Sequence, residues 1–302
     1  MSQEQYYHFF KMEGTANDYI FVDRRDDRVL LPDDLKAALP LLCDRHRGIG
    51  ADGLVLIGAP SRPGSLARMH MWNADGSASD MCGNALRCIA LFLHRAGAED
   101  QFTIESAVGT HACRVLDAES RSARVEVDMG LPRFEASDIP FNPEALGLKE
   151  RAGPWLDVPL TIQDQQFRAS LVSMGNPHCV IFVERADDVD LRELGPLLER
   201  HAAFPERANV EFVSRQGNGA SFYQRTFERG SGETLACGSG ACAVLAAAVL
   251  TGRSARSASI RLRGGVLDLT WQGEATNPGS ILMTGQARLV FEGDFRARDF
   301  PS

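Results

Sequence analysis

The segment Glu228-Arg-Gly-Ser-Gly-Glu-Thr-Leu-Ala-Cys237-Gly-Ser-Gly-Ala-Cys242 runs directly into an apolar stretch, Ala243 to Leu250, and this arrangement occurs twice in the chain. Asn73-Ala-Asp-Gly-Ser-Ala-Ser-Asp-Met-Cys82-Gly-Asn-Ala leads into Leu86-Arg-Cys-Ile-Ala-Leu-Phe-Leu-His-Arg95, and a glycine, Gly97 or Gly252, follows each apolar stretch. Cys82 and Cys237 are 155 residues apart (237 − 82), and at the same offset Gly109 falls on Gly264 and Gly130 on Gly285. A repeat that keeps a cysteine, an apolar segment and later turn glycines in one register implies two similar domains.

The composition of each apolar segment favours a helix, and the glycine after it is a stop signal. Cys82 and Cys237 therefore stand at or just before helix N-termini, where unpaired backbone N–H groups and the positive end of the helix dipole stabilise an anion. A thiolate and the carboxylate of a bound molecule could both profit. Both helices are apolar on nearly every face, so each should be buried on all sides.

The chain has 302 residues, 44% of them hydrophobic, enough for two domains with substantial cores. The division is expected within residues 131–150, giving domains 1–135 and 136–302, with the terminal strand available to pack on the N-terminal domain. Short strands are expected at Tyr7–Phe10, Tyr19–Val22, Leu54–Ile57, Arg68–Trp72, Val125–Asp128, Leu171–Ser173, Val180–Val183, Val210–Val213, Ser221–Phe227, Ile260–Leu262 and Val266–Trp271. Polar helices are expected at Pro32–Arg45 and Asp190–His201, each containing a proline that would interrupt it. The fold class is α+β: two pseudo-symmetric domains, each a curled mixed or antiparallel sheet around a central apolar helix, with the active site in the cleft between them.

Charge and motifs exclude several functions. The formal net charge is −8 and no run of Lys and Arg exceeds two residues, which argues against nucleic acid or an anionic membrane as partner. The apolar helices, about 12 residues each, fall short of the roughly 20 that span a bilayer. The N-terminal Met-Ser-Gln-Glu-Gln-Tyr-Tyr-His has no basic stretch followed by an apolar one, so no signal peptide is expected. With seven cysteines, this points to a reducing cytoplasm. A third glycine for a dinucleotide loop starting at Gly230 would fall on Leu235. A hydrolase elbow at Ser239 would need glycine at the positions of Cys237 and Ala241. Cysteine spacing gives no metal site. The chain has three lysines, Lys11, Lys36 and Lys149, and a Schiff-base cofactor would depend on Lys11, the others lying in polar contexts.

Two equivalent cysteines suit inversion at a carbon bearing hydrogen: one thiolate removes the proton from one face while the other thiol delivers a proton to the opposite face. The α-hydrogen of an amino acid is a very weak acid, so charge developing on the adjoining carboxylate needs prearranged donors. The N–H groups at the two helix starts are of that kind.

Segments spread along the chain carry a specific resemblance: Lys11-Met-Glu-Gly-Thr-Ala-Asn17-Asp-Tyr, Gly48-Ile-Gly-Ala-Asp52-Gly, Asn73-Ala-Asp-Gly-Ser, Met81-Cys82-Gly-Asn-Ala-Leu-Arg-Cys88, Ser173-Met-Gly-Asn176-Pro-His178-Cys, Arg207-Ala-Asn209-Val-Glu-Phe, and the Glu228 to Ala241 segment. In these the chain resembles the diaminopimelate epimerase family of cofactor-independent amino-acid racemases and epimerases. The resemblance implies interconversion of LL- and meso-2,6-diaminopimelate in lysine and peptidoglycan precursor synthesis, by a homodimer without cofactor or metal.

Carried over by position, Cys82 and Cys237 would be the acid–base pair, with His178 and Glu228 tuning their proton affinities. The α-carboxylate would lie against Gly83, Asn84, Gly238 and Ser239. Asn17, Asn73, Asn176, Asn209 and Arg229 would hold the distal end of the substrate, and Glu228 would also contact it. Three departures from the family pattern stand out: Gly53 where some members have a substrate-contacting glutamine, Ala85 for a frequent glycine, and Thr15-Ala16 for Leu-Gly. The last two read as conservative. The alternatives are a racemase or epimerase of proline, hydroxyproline or histidine type and, outside the class, a cysteine-nucleophile hydrolase, which would need one reactive cysteine and not two in register.

Overall fold

A computed structural model describes residues 6–27, 31–217, 220–273 and 279–300. The chain groups into two compact units, residues 1–127 with 285–302 and residues 128–284. The first unit thus ends at Val127 rather than at residue 135, and the chain returns to it from Gly285 onward. Of the N-terminal segment considered above, Met1 to Gln5 lie outside the described residues.

The first unit contains β1 (Tyr7–Gly14), β2 (Asn17–Arg24), α1 (Asp33–Cys43), β3 (Gly53–Gly58), β4 (Ser65–Asn73), β5 (Ala78–Ser79), α2 (Gly83–Arg95), β6 (Gln101–Ser106), β7 (Gly109–Ala118) and β8 (Ser122–Asp128). Pairing runs β1–β2–β3–β4–β6–β7–β8. The later part of the chain's last strand, Ile281–Phe295, pairs with β8 and with β1 and closes the ring. Closure leaves the main strands no free edge. Inside lies α2, whose residues from Gly83 to Leu93 are all buried. Outside, α1 lays Leu35, Ala38, Leu39 and Leu42, spaced as one helical face, on Ile20, Val22, Leu54 and Leu56.

The second unit contains β9 (Trp155–Ile162), β10 (Gln165–Ser173), β11 (Pro177–Phe182), α3 (Leu191–Glu199), β12 (Asn209–Arg215), β13 (Ser221–Glu228), β14 (Gly232–Thr234), α4 (Gly238–Leu250), β15 (Ser257–Leu262), β16 (Gly265–Trp271) and the first residues of β17 (Ile281–Phe295). Pairing runs β9–β10–β11–β12–β13–β15–β16–β17. Residues 129–133 bridge the remaining gap: Met129 and Gly130 exchange backbone hydrogen bonds with Ile281, and Arg133 with Ser173. Against this sheet packs α4, with Gly238 and every residue from Gly240 to Ala248 buried. Each Val or Leu withdrawn from water there contributes about 1.5–3 kcal/mol.

From β1 to β8 and from β10 to β17 the two units have the same order of elements, and every corresponding pair of strands runs in the same sense. The hairpins before the buried helices match residue for residue: Trp72 faces Ala78 as Phe227 faces Glu233, at the 155-residue offset. Farther on the register slips by one. After α2, β6 begins at Gln101, whereas after α4, β15 begins at Ser257, one residue later relative to its helix. Gly109 therefore corresponds to Gly265, not Gly264: each opens a strand after a two-residue turn, with φ +154°. Gly130, at φ +82°, and Gly285, inside β17, are not structural equivalents.

The expected helices are slightly shorter in the structure, and each runs through its proline, Pro40 or Pro196. β6, β7 and β9 lack an apolar run and escaped the sequence reading, because these strands bury only one face or a few positions. Among the described residues no helix is long and apolar enough to cross a membrane.

Candidate active site

In the first unit Cys82 is the N-cap residue of α2, in extended conformation, and no side chain caps the turn that follows. The first bond within the helix runs from Leu86 N to Cys82 O. The preceding N–H groups, those of Gly83 and Asn84 included, are thus left without intrahelical acceptors. Asn17, the first residue of β2, brings its Oδ1 to this point. That oxygen accepts from Tyr19 OH at 2.8 Å and Asn84 Nδ2 at 3.2 Å, and lies 3.6 Å from Cys82 Sγ. Tyr19 OH is itself 3.6 Å from Cys82 Sγ. Burial pushes the Tyr19 phenol well above its ordinary range, with the nearby Cys82 adding to the shift, so the hydroxyl keeps its proton.

A second layer fixes the amide of Asn17. Its Nδ2 donates to Asp52 Oδ2 at 2.6 Å, and Asp52 is paired with Arg45 at 2.9 Å. Arg45 also holds Asp18, as does Lys11. Burial by itself would raise the Asp18 carboxyl, but hydrogen bonds from Arg45 and Lys11 bring it below the usual carboxylate range. Asn73 is not drawn to Cys82: its Nδ2 donates to Ser77 Oγ at 2.9 Å, within the turn from β4 to β5.

In the second unit Cys237 is the N-cap of α4, and its Sγ accepts from Gly240 N at 3.4 Å and lies 3.6 Å from Ser239 Oγ. The thiol is buried, and burial, then Glu228, then Glu211 raise its pKa well above the ordinary thiol range. It rests as the protonated thiol, the form that donates. His178, on β11, is fully buried with its Nδ1 2.8 Å from Glu211 Oε1 and its Nε2 3.0 Å from Asn176 Oδ1. Asn176 Nδ2 donates to Ser239 Oγ at 3.4 Å. Glu228 ends β13 and accepts from Thr234 Oγ1 at 2.6 Å.

Arg229 follows Glu228 in a loop clamped from below. Its N donates to Asn209 Oδ1 at 2.9 Å, and Gly230 N donates to Glu199 Oε1 at 2.9 Å. Asn209 is buried and donates to Pro177 O, so its amide sets the course of the loop. The guanidinium of Arg229 reaches Glu206 O at 3.1 Å.

A family model described as diaminopimelate epimerase matches residues 9–135 and 170–290. A diaminopimelate epimerase of Leptospira biflexa is 43% identical over 290 residues, covering 95% of this chain and 98% of that one. One of Desulforudis audaxviator is 45% identical over 287 residues, covering 94% and 98%. The chain belongs to the diaminopimelate epimerase family. In fold it is also similar to a probable proline racemase of Agrobacterium radiobacter, with a TM-score of 0.67 at 17% identity over 95% of this chain and 92% of that one.

Within this epimerase frame the two halves use the same positions for different chemistry. Asn17 and Tyr19 begin β2 as Asn176 and His178 flank the start of β11, and in each half the ring two residues on binds the asparagine Oδ1. Asn84 and Ser239, each the second residue of its helix, both bind that asparagine. Asn73 and Glu228 both end the strand before the short hairpin. Sequence reasoning missed Tyr19, Asp52, Glu199 and Glu211. Spacing held the signal for Tyr19, two residues after Asn17 as His178 is two after Asn176. For Glu211 it was a carboxylate set among Val210, Phe212 and Val213.

The departures from the family pattern also find their physical reading. Gly53 lies so close to β4 that an added Cβ would sit 2.1 Å from Trp72 O, so a glutamine does not fit this backbone. Ala85 is buried in α2 without strain. Thr15 and Ala16 are less conservative than expected: at φ +58° and +61° they form a left-handed two-residue turn between β1 and β2, which favours glycine and asparagine. Thr15 Oγ1 offsets part of the strain by accepting from Arg87 Nη2 at 2.7 Å.

Proposed function

We infer that this chain interconverts LL- and meso-2,6-diaminopimelate, in lysine and peptidoglycan precursor synthesis. The observation that carries the reading is the identity of 40–45% to curated diaminopimelate epimerases over nearly the whole chain, together with a cysteine at the N-cap of each buried helix.

In this reading one cysteine, as thiolate, takes the α-proton: an S–H bond forms, the C–H bond breaks, and the electron pair moves onto the α-carboxylate. The other cysteine, as thiol, gives its proton to the opposite face of the carbon, so the enzyme ends with the two protonation states exchanged. With Cys237 resting as the thiol, Cys82 is the base and Cys237 the acid in the direction that starts from that state. The N–H groups of Gly83, Asn84, Gly238 and Ser239, in first helical turns where no intrahelical acceptor is available, are suited to the charge that develops on the carboxylate. His178 and Glu228 adjust Cys237. Arg229, whose planar fork suits bidentate pairing, takes the distal carboxylate, on a loop whose course Asn209 sets. Asn17 and Asn176 position the helix starts, and Asn73 completes the distal contacts. The active form is a cytoplasmic homodimer that needs neither cofactor nor metal.

Incubating purified protein with LL-diaminopimelate in deuterated water tests this. Each turnover should place one deuterium on an α-carbon as the stereoisomers equilibrate, with pyridoxal phosphate or a chelator making no difference. Absence of exchange at the α-carbon would refute the function.

A further inference from the structure

Tyr19 stands where the other half carries His178, yet it touches its cysteine directly, the hydroxyl lying 3.6 Å from Cys82 Sγ. The surrounding groups divide by what they can offer sulfur. Asn17 Oδ1, also 3.6 Å from Sγ, only accepts, so it can receive the proton of a Cys82 thiol but cannot stabilise a thiolate. Asn17 Nδ2 is committed to Asp52, which is in turn paired with Arg45. From α2, Asn84 Nδ2 is directed at Asn17 Oδ1, and Arg87 binds Asn84 Oδ1 and Thr15. Behind β2, Lys11 and Arg45 are spent on Asp18. The Tyr19 hydroxyl is a donor within reach of the sulfur. It is buried, and its phenol holds its proton through the pH range in which a thiol ionises.

We propose that Tyr19 is a positioning residue that stabilises the Cys82 thiolate, its hydroxyl hydrogen pointing to Asn17 Oδ1 while Cys82 is a thiol and turning to Sγ when Cys82 ionises. The phenol transfers no proton; the O–H bond reorients, and Asn17 Oδ1 keeps Asn84 Nδ2 as its donor. The two halves thus assign opposite tasks to equivalent positions. Around Cys237 two carboxylates favour the thiol, whereas beside Cys82 a neutral donor favours the thiolate. A hydrogen bond made to the charged form alone lowers the midpoint of ionisation. The proposal rests on the reading of Cys82 as a proton-transfer thiol, but its test needs no turnover.

The experiment follows alkylation of Cys82 and Cys237 by iodoacetamide across pH, with peptide mapping, in the parent and in Tyr19→Phe. The expected result is an upward shift of the Cys82 midpoint by about one pH unit, which is about tenfold slower alkylation below the midpoint. The Cys237 profile should stay in place, and the acid limb of kcat/KM should move with Cys82. A Cys82 profile identical in the two proteins overturns the proposal. Should Tyr19→Phe fail to fold, 3-fluorotyrosine at position 19 supplies a stronger donor in the same shape and should move the Cys82 midpoint downward; an unmoved midpoint overturns the proposal equally. Failure of the epimerase reading would show separately, as absence of α-deuterium exchange in the parent.

Discussion

Glu211 Oε1 lies 2.8 Å from His178 Nδ1, and neither side chain has any exposure to solvent. The pair is packed beside α4, where a Cβ on Gly240 would sit 2.6 Å from Glu211 Oε1 and 3.2 Å from Cys237 Sγ. Gly240 thus lets a buried carboxylate approach the sulfur. Removing one member of a buried pair leaves the other uncompensated at a cost of about 3–5 kcal/mol. Glu211→Ala should therefore lower the melting temperature by roughly 10 °C and slow α-deuterium exchange, whereas Glu211→Gln, which keeps the shape and an acceptor, should lose less than half as much stability. Thermal denaturation of the two variants checks this; an alanine variant as stable as the parent would show the pair to be ornamental.

Cys82→Ser or Cys237→Ser should reduce α-deuterium exchange by at least about a thousandfold, since general acid–base groups contribute on the order of a hundred to ten thousandfold and an alcohol is a far poorer base than a thiolate. Cys88→Ser should be much milder in rate. The Cys88 thiol is fully buried, and burial pushes it well above the ordinary range, so it is inert packing. Its replacement should cost about 1–3 kcal/mol for a buried hydroxyl. Near-parental exchange by either of the first two variants contradicts the assignment.

Gly53→Gln tests whether the glutamine of other members can be restored. A Cβ 2.1 Å from the Trp72 carbonyl oxygen forces β3 and β4 apart, so the variant should lose about 1–3 kcal/mol, as overpacked sites do, and gain no affinity for diaminopimelate. Calorimetric titration and melting on one preparation answer both points. Tighter binding without loss of stability would contradict the close approach.

The Asp18 carboxyl, held below the usual carboxylate range by Arg45 and Lys11 against the effect of burial, carries a pH signature. A depressed folded-state pKa gives stability that is complete above the unfolded value of about 4 and is lost as pH falls through the folded value. The melting-temperature gap between the parent and Asp18→Asn should then be widest near neutrality and close as pH drops below about 4. A gap that stays constant from neutral to strongly acid pH would mean that the bonds to Asp18 do not depend on its charge.

The two buried helices, their N-cap cysteines and the repeated architecture were legible because they depend on local composition and on one repeated spacing. The repeat hid its own slip: one extra residue after α4 moves the strand-opening glycine from position 264 to 265, and glycine occupies both. Asn73 and Asn209 read alike as asparagines beside family motifs, yet one braces a turn and the other a loop, since their bonds go to Ser77 and to Pro177 and Arg229. Partners of that kind depend on which strands meet, and Glu211 reaches His178 because β11 and β12 lie side by side and parallel. Nothing local to either residue announces it.

The return of the chain at Gly285 to the unit begun by its first residues has a consequence for the order of events on a ribosome. Tyr7 pairs with Phe295 and Lys11 with Phe291, so β1, already paired with β2, gains its second neighbour only once residues 291–295 have been made. By the time residue 284 has emerged, the second unit has its full complement of strands, while the first, made earlier, still has a gap between β8 and β1. The half that is born first is completed last, and a chain halted at residue 284 would carry a finished second unit and a first unit exposing open strand edges, the kind of surface on which aggregation begins.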